Sequence, residues 1–223
     1  MGKRALGSTG IEAGVIGLGS WQLGNTVARV AHRAAGLIAG INEQGAQMDD
    51  LLPHVLAILS TTPQRWNTLA HAVPSDLLDR KPKRGEWSAL DCLRHLVTTE
   101  REVFPVRLAA FRAGRDFAAY DPDAAGAVEG ADDPDELVAE FETLRGRSLQ
   151  DVAALSPDDL RRTARHAELG QVTLGEMLSE WAGHDLMHTV QGERAMMQPF
   201  IAGSGPWRSY FTDHDAQPPG SEV

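Results

Sequence analysis

Thr173-Leu174-Gly175-Glu176-Met177-Leu178-Ser179-Glu180-Trp181-Ala182-Gly183-His184-Asp185-Leu186-Met187-His188 is the stretch that sets the architecture of this chain. At about 100° per residue, Leu174, Met177, Leu178, Trp181, His184 and His188 fall within one arc roughly 120° wide, so this is an amphipathic helix. Thr173 and Glu176 open it as a capping box. Both histidines lie in its apolar stripe and are expected to point inward. Two neutral imidazoles one turn apart among apolar side chains are costly unless each ring finds a partner, and a divalent metal satisfies both. Such a site needs a third ligand. His95, in a second amphipathic helix, supplies it.

Composition narrows the classes of function. The chain has 223 residues, 42% of them hydrophobic, enough to bury the core of one ordinary domain with an appendage. A formal charge of −10 repels a phosphate backbone, and no Lys/Arg run offsets it, so nucleic acid is excluded as a partner. The single cysteine, Cys92, permits no internal disulfide and suits a reducing compartment. Apolar runs such as residues 55–59 are far shorter than the roughly 20 residues of a membrane span. Glycines and Glu12 interrupt the apolar residues at the N-terminus, which does not read as a signal peptide. A cytoplasmic protein with no membrane partner is expected.

Residues 1–25 stand apart, with seven glycines. Arg4-Ala5-Leu6-Gly7-Ser8-Thr9-Gly10, then Ile16-Gly17-Leu18-Gly19-Ser20-Trp21-Gln22-Leu23-Gly24, reads as a turn and a short strand-like piece. It resembles the opening of aldo-keto reductases. A (β/α)₈ barrel needs about 200 residues or more of alternating strand and helix, whereas the chain beyond this segment has a helical pattern. No motif matches that family's Asp, Tyr, Lys and His set. The segment therefore reads as a vestigial or fused extension without reductase activity. Residues 26–47 read as a linker or short helix, 48–198 as a helical bundle and 199–223 as a loose tail.

Four strong helices are predicted within the bundle. The first spans about 48–73, with Leu51, Leu52, Val55, Leu56, Leu59, Trp66 and Leu69 inward and Pro63 marking a kink or break. The second is capped by Ser88 with Asp91 and runs to about Arg112 on a stripe of Leu90, Leu93, Val97, Phe104, Leu108 and Phe111. The third has Asp133 as N-cap and Pro134 at its first position, and Ser156-Pro157 stops it. The fourth runs from Thr173 to about Met197, before Pro199. Residues 114–133 form a long Asp/Pro/Gly/Ala-rich connection of the kind that crosses a domain or carries function. The fold class is all-α: a four-helix bundle with a long crossover between helices two and three, letting these run parallel, plus an irregular N-terminal extension.

Gly85-Glu86-Trp87-Ser88-Ala89-Leu90-Asp91-Cys92-Leu93-Arg94-His95-Leu96 resembles the second-helix entry of DinB-like metal-binding bundles. Trp181 to His188, with Gln191, is similar to that family's fourth-helix signature. The resemblance covers about residues 48–198. It implies a mononuclear divalent metal, usually zinc or nickel, held by His95, His184 and His188 with an open fourth position. Members of established function include thiol-dependent S-transferases and a mycothiol-dependent isomerase; many others have no assigned activity.

Around these ligands several residues carry more than one reading. Asp91 is a helix N-terminal charge or a group orienting His95 or a bound water. Glu180, one turn before His184, is a general base, an extra ligand or a solvated glutamate; it and Asp91 are the catalytic candidates. Asp185 and Gln191 are candidate hydrogen-bonding partners of the ligands, or surface contacts. Cys92 is a soft ligand or a small buried residue. Trp87 and Trp181 are packing anchors.

The expected function is a divalent-metal-dependent enzyme that presents a low-molecular-weight thiol, as a metal-bound thiolate, to a small electrophile. Metal-hydroxide hydrolysis is the enzymatic alternative. A non-catalytic metal-binding stress or ligand-binding bundle, with a homodimer among its states, is the other.

Overall fold

A computed structural model describes residues 3–5, 12–14, 50–120 and 133–217. The chain divides into two compact units, Met1–Gly40 and Ile41–Val223. In the first, β1 (Lys3–Ala5) pairs antiparallel with β2 (Glu12–Gly14), Arg4 opposite Ala13. The remainder of the reductase-like stretch, Gly17-Leu18-Gly19 included, and the linker or short helix expected at 26–47 lie outside the described residues.

The second unit is the expected bundle, built from six helices among the described residues. These are α1 (Leu51–Ala72), α2 (Ser75–Leu78), α3 (Ala89–Glu102), α4 (Phe104–Ala113), α5 (Pro134–Ala153) and α6 (Leu174–Gly203). Cap chemistry sets several of their starts. The Ser88 amide donates to Asp91 Oδ2 at 3.0 Å while the Asp91 amide donates to Ser88 Oγ at 3.1 Å. Thr173 and Glu176 repeat this at α6, with bonds of 2.7 and 3.1 Å. Asp133 Oδ1 accepts from the Asp135 amide ahead of Pro134.

Two boundaries differ from the pattern of the sequence. The second predicted helix is interrupted at Val103, because Pro105 cannot donate to the Arg101 carbonyl; α4 restarts there with the proline in its first turn. The fourth continues through Pro199 to Gly203. A 3₁₀ segment, Gly205–Phe211, comes next in what reads as a loose tail; Gln198 ties the region beyond it, donating to the His214 carbonyl and accepting from the Ala216 amide. Trp207 and Tyr210 are exposed on that segment.

Paired residues give the direction of each helix. Arg101 meets Glu140 and Arg112 meets Asp151, so α3 and α4 run parallel to α5. Leu59 and Asn67 meet Arg145 and Glu142, so α1 is antiparallel to α5. Glu86, His95 and Phe104 meet Arg194, His184 and Trp181, so α3 is antiparallel to α6. A parallel neighbour needs a long return, which residues 114–133 supply. The sequence pattern misses a second antiparallel hairpin, β3 (Thr163–His166) with β4 (Gly170–Thr173), which feeds directly into α6. Its four-residue strands are too short for alternation to stand out. Gly170, at φ 80°, takes the left-handed conformation its turn requires.

The core has two apolar clusters. One gathers Val55, Leu59, Phe104, Leu108, Phe111, Leu174, Leu178 and Trp181; the other gathers Trp66, Leu90, Leu93, Leu96, Leu137, Phe141 and Met196. Gly192 lets α6 approach Trp66, since a Cβ there would lie 2.7 Å from the indole. Arg145 lies between the clusters, its guanidinium 4.8 Å from the Phe141 ring and 5.6 Å from that of Trp181. It donates to Glu100 on α3 at 3.0 Å and to Asp185 on α6 at 2.6 and 3.1 Å. A further bond of 2.9 Å goes to the Leu59 carbonyl on α1. That carbonyl is the one whose helical donor would be the missing N–H of Pro63. Pro63 therefore sits inside α1 without ending it, and one side chain links all four bundle helices.

Candidate metal centre

His95 on α3 and His184 and His188 on α6 converge where the two antiparallel helices meet. All three are buried, and one ligand atom from each lies within 4.8 Å of the others. Among the described residues no other His, Cys, Asp or Glu belongs to this group. The Nε2 atoms of His95 and His184 stand 3.0 Å apart. Tetrahedral ligands at zinc–nitrogen distances of about 2.0–2.1 Å would stand roughly 3.3 Å apart, so the spacing suits a shared ion.

The hydrogen bonding of His188 adds to that fit. Its Nδ1 faces Gln191 Oε1 at 2.9 Å. The amide oxygen can only accept, so Nδ1 carries the proton and the Nε2 lone pair is left free. That Nε2 is buried with no partner. An orphaned acceptor at the meeting point of three imidazoles is what a cation would satisfy. Trp87 covers the group, its ring stacked on His188 at 5.6 Å and tilted against His95 at 4.9 Å. Phe104 closes another side with its ring steeply inclined to His184, 5.2 Å away.

Burial keeps all three rings neutral. It lowers His188 to about 4, against the Gln191 bond; with the field of His188 it lowers His95 to about 3; and with neighbouring charges it lowers His184 to about 2. Their lone pairs are thus available at neutral pH without loss of a proton. Between pH 6.5 and about 4 the unfolded chain binds protons that the fold does not, so stability must rise with pH there. The metal-free protein is expected to lose up to about 1.4 kcal/mol per pH unit for each histidine as pH falls through that window. Denaturant melts from pH 7 to pH 4, compared with the His95→Gln/His184→Gln/His188→Gln variant, check this. Equal slopes for the two would contradict three buried neutral imidazoles.

The other candidates from the sequence fall in different surroundings. Asp91 is outside the histidine group: its carboxylate caps α3 and pairs with Lys81 at 3.3 Å and Arg94 at 3.2 Å. Partial burial pushes its pKa up, but the Ser88 bonds and Lys81 bring it below the usual carboxylate value. Glu180 is half-exposed one turn before His184 and faces Arg107 at 3.5 Å. Asp185 is buried in the Arg145 network, away from the imidazole nitrogens, whereas Gln191 bonds a ligand directly. Cys92 is a buried member of the second apolar cluster, and burial pushes its thiol pKa up. Trp181 is fully buried and stacked on Phe104.

The helical pattern does not single out Arg145, Glu100 or Arg107. Val138, Phe141, Arg145, Ser148 and Val152 form one buried stripe, so a charge on a core-facing position is the available signal. Outside the centre, His166 is a structural residue whose Nδ1 accepts from the Glu168 and Leu169 amides. No helix among the described residues is long and apolar enough to cross a membrane.

An antiparallel helix pair carrying one histidine opposite a His-x-x-x-His, in a bundle with parallel second and third helices, defines a class of bundle with a candidate metal centre. The family model of the DinB superfamily matches residues 58–191, and the chain belongs to that superfamily. A solved structure similar to this chain is YfiT from Bacillus subtilis, described as a probable metal-dependent hydrolase with an unusual four-helix bundle topology. The two share 18% identity at a TM-score of 0.58, over 65% of this chain and 85% of YfiT, which shows a common fold. No curated protein sequence matches the chain.

Proposed function

We propose that His95, His184 and His188 hold one divalent ion, zinc or nickel, and that the protein is an enzyme transferring a low-molecular-weight thiol to a small electrophile. The observation that carries this is a group of three neutral imidazoles with no carboxylate in it among the described residues. A divalent ion bound there lowers the pKa of a coordinated thiol by several units, which is the activation that S-transfer needs. The chain's own residues do the rest. Gln191 holds the proton of His188 on Nδ1, and Trp87 and Phe104 shield the imidazoles from water. Of the two carboxylates singled out from the sequence, Asp91 is tied up by its helix cap, Lys81 and Arg94, whereas Glu180, whose pKa burial raises, has only a loose 3.5 Å pair with Arg107 and is the better placed as a general base.

Hydrolysis is the second reading, favoured by the description of YfiT as a probable metal-dependent hydrolase. Thiol coordination, which S-transfer requires, is tested in the cobalt-loaded protein. An added thiol is expected to produce a thiolate-to-cobalt charge-transfer band in the near ultraviolet. Apparent affinity should rise with pH up to the free thiol's pKa and level off above it. The band should persist in Cys92→Ala, which removes the protein's own sulfur. No spectral change with any of several cellular thiols would sink S-transfer and leave hydrolysis or a non-catalytic metal-binding bundle.

A further inference from the structure

We propose that Arg107 is the anion-recognition residue of this site, selecting ligands that carry a carboxylate a few bonds from the atom directed at the histidine group. The inference rests on the metal-centre reading but not on S-transfer. Arg107 and His184 lie against the same ring: the guanidinium carbon is 5.9 Å from the Phe104 centroid, and His184 meets that ring at 5.2 Å. Phe117 holds the guanidinium on another side, 5.6 Å from its centroid. The Arg107 side chain is 15% exposed, so it is positioned by packing yet reachable.

What sets Arg107 apart is its lack of strong partners. Arg145 donates to two carboxylates and a carbonyl and is saturated. Arg107 makes no side-chain hydrogen bond among the described residues; besides the two aromatic rings it has the 3.5 Å ion pair with Glu180, which is itself 47% exposed. Burial lowers its pKa and Glu180 opposes this, so the guanidinium is partly desolvated without being fully compensated. A planar fork with donors to spare beside a half-open carboxylate suits a bidentate carboxylate from a ligand. Glu180 is half-exposed, and burial raises its pKa against the pull of Arg107, so the existing pair is loose enough for a ligand carboxylate to compete.

The spacing fits a small molecule. Glu180 and His184 are four residues apart on α6, a rise of about 6 Å, which a small molecule with a two- or three-carbon spacer covers. The chain's formal charge of −10 repels anions from a distance, so a carboxylate held away from the ion calls for a second local cation. Arg107 is that cation, on the α4 side of the histidine group. Its position follows from Pro105, which ends α3 and lets α4 restart with Phe104 and Arg107 both turned toward α6.

The test uses the cobalt-loaded protein and two matched pairs of probes, each differing by one carboxylate. These are 3-mercaptopropionate with 3-mercaptopropan-1-ol, and succinic monohydroxamate with propionohydroxamate. Wild type is expected to bind the charged member of each pair at least about tenfold tighter. In Arg107→Gln that preference should vanish while the neutral probes bind as before. Arg107→Lys should keep part of it, and Glu180→Gln should increase it by removing the competing carboxylate. Equal affinities in wild type, or an undiminished preference in Arg107→Gln, would overturn the proposal. If the thiols fail to bind and the hydroxamates show the Arg107-dependent preference, S-transfer falls and this inference stands. If the protein retains no metal, metal analysis shows it independently and both fall. Glu180→Gln keeps the test decisive should Arg107→Gln not fold, because an unchanged preference there also contradicts the pairing.

Discussion

Alanine at both His184 and His188 is expected to leave the purified protein without stoichiometric divalent metal, where wild type is expected to hold one ion per chain. The double variant keeps only His95, and one imidazole cannot supply the coordination that a structural or catalytic divalent site draws from three or four protein atoms. Loss of a single hydrogen-bonding partner of a ligand typically weakens such sites by about 10–100-fold, so the loss of two ligands should exceed that range. Gln191→Ala provides the graded comparison: it frees the His188 ring to change tautomer and should weaken affinity within the smaller range. Elemental analysis after dialysis, with circular dichroism to confirm helical folding, reads the outcome. An ion still bound one-to-one in the double variant would put the metal elsewhere.

Replacing Arg145 by methionine should destabilise the fold by about 3–5 kcal/mol, a large share of the roughly 5–15 kcal/mol typical of a domain. The side chains of Glu100 and Asp185 are 0% and 1% exposed, and Arg145 is the cation between them. Without it two buried carboxylates lose their counter-charge and the Leu59 carbonyl loses its donor. Urea unfolding at pH 7 measures the effect. The Arg145→Met/Glu100→Gln/Asp185→Asn triple variant should recover part of the loss, since the penalty is mainly that of uncompensated charge. A loss below about 1 kcal/mol in Arg145→Met would mean that the network adds little to stability. Asp185 neighbours His184 on α6, so the same variant is also expected to loosen the histidine pair and lower metal affinity.

Much of the bundle is legible in the chain because its signals are local. Caps at Ser88, Asp133 and Thr173 depend on residues two or three positions away, and the helical stripes on residues three and four apart. His184 and His188 share a helix, so their common face follows from the 3.6 period alone. That His95 approaches them is different. It rests on the order of motifs and the family they resemble, since residues 95 and 184 meet only when α3 and α6 pack antiparallel. The break at Val103 is also written locally, in Pro105, but a continuous apolar stripe on both sides of it hides the interruption.

Local pattern thus specifies the helices, their caps and inward faces, and the chemical identity of the three histidines. How the charged residues are used is settled by packing alone. Pro63 reads as a helix breaker in isolation, yet α1 passes through it because Arg145, more than eighty residues away, donates to the carbonyl it leaves open. Asp185 and Glu180 lie five residues apart on one helix; one is a buried partner of Arg145 and the other a half-exposed partner of Arg107. Periodicity assigns a face, but whether a charge on that face is stabilising depends on a counter-charge and a local dielectric that distant segments supply.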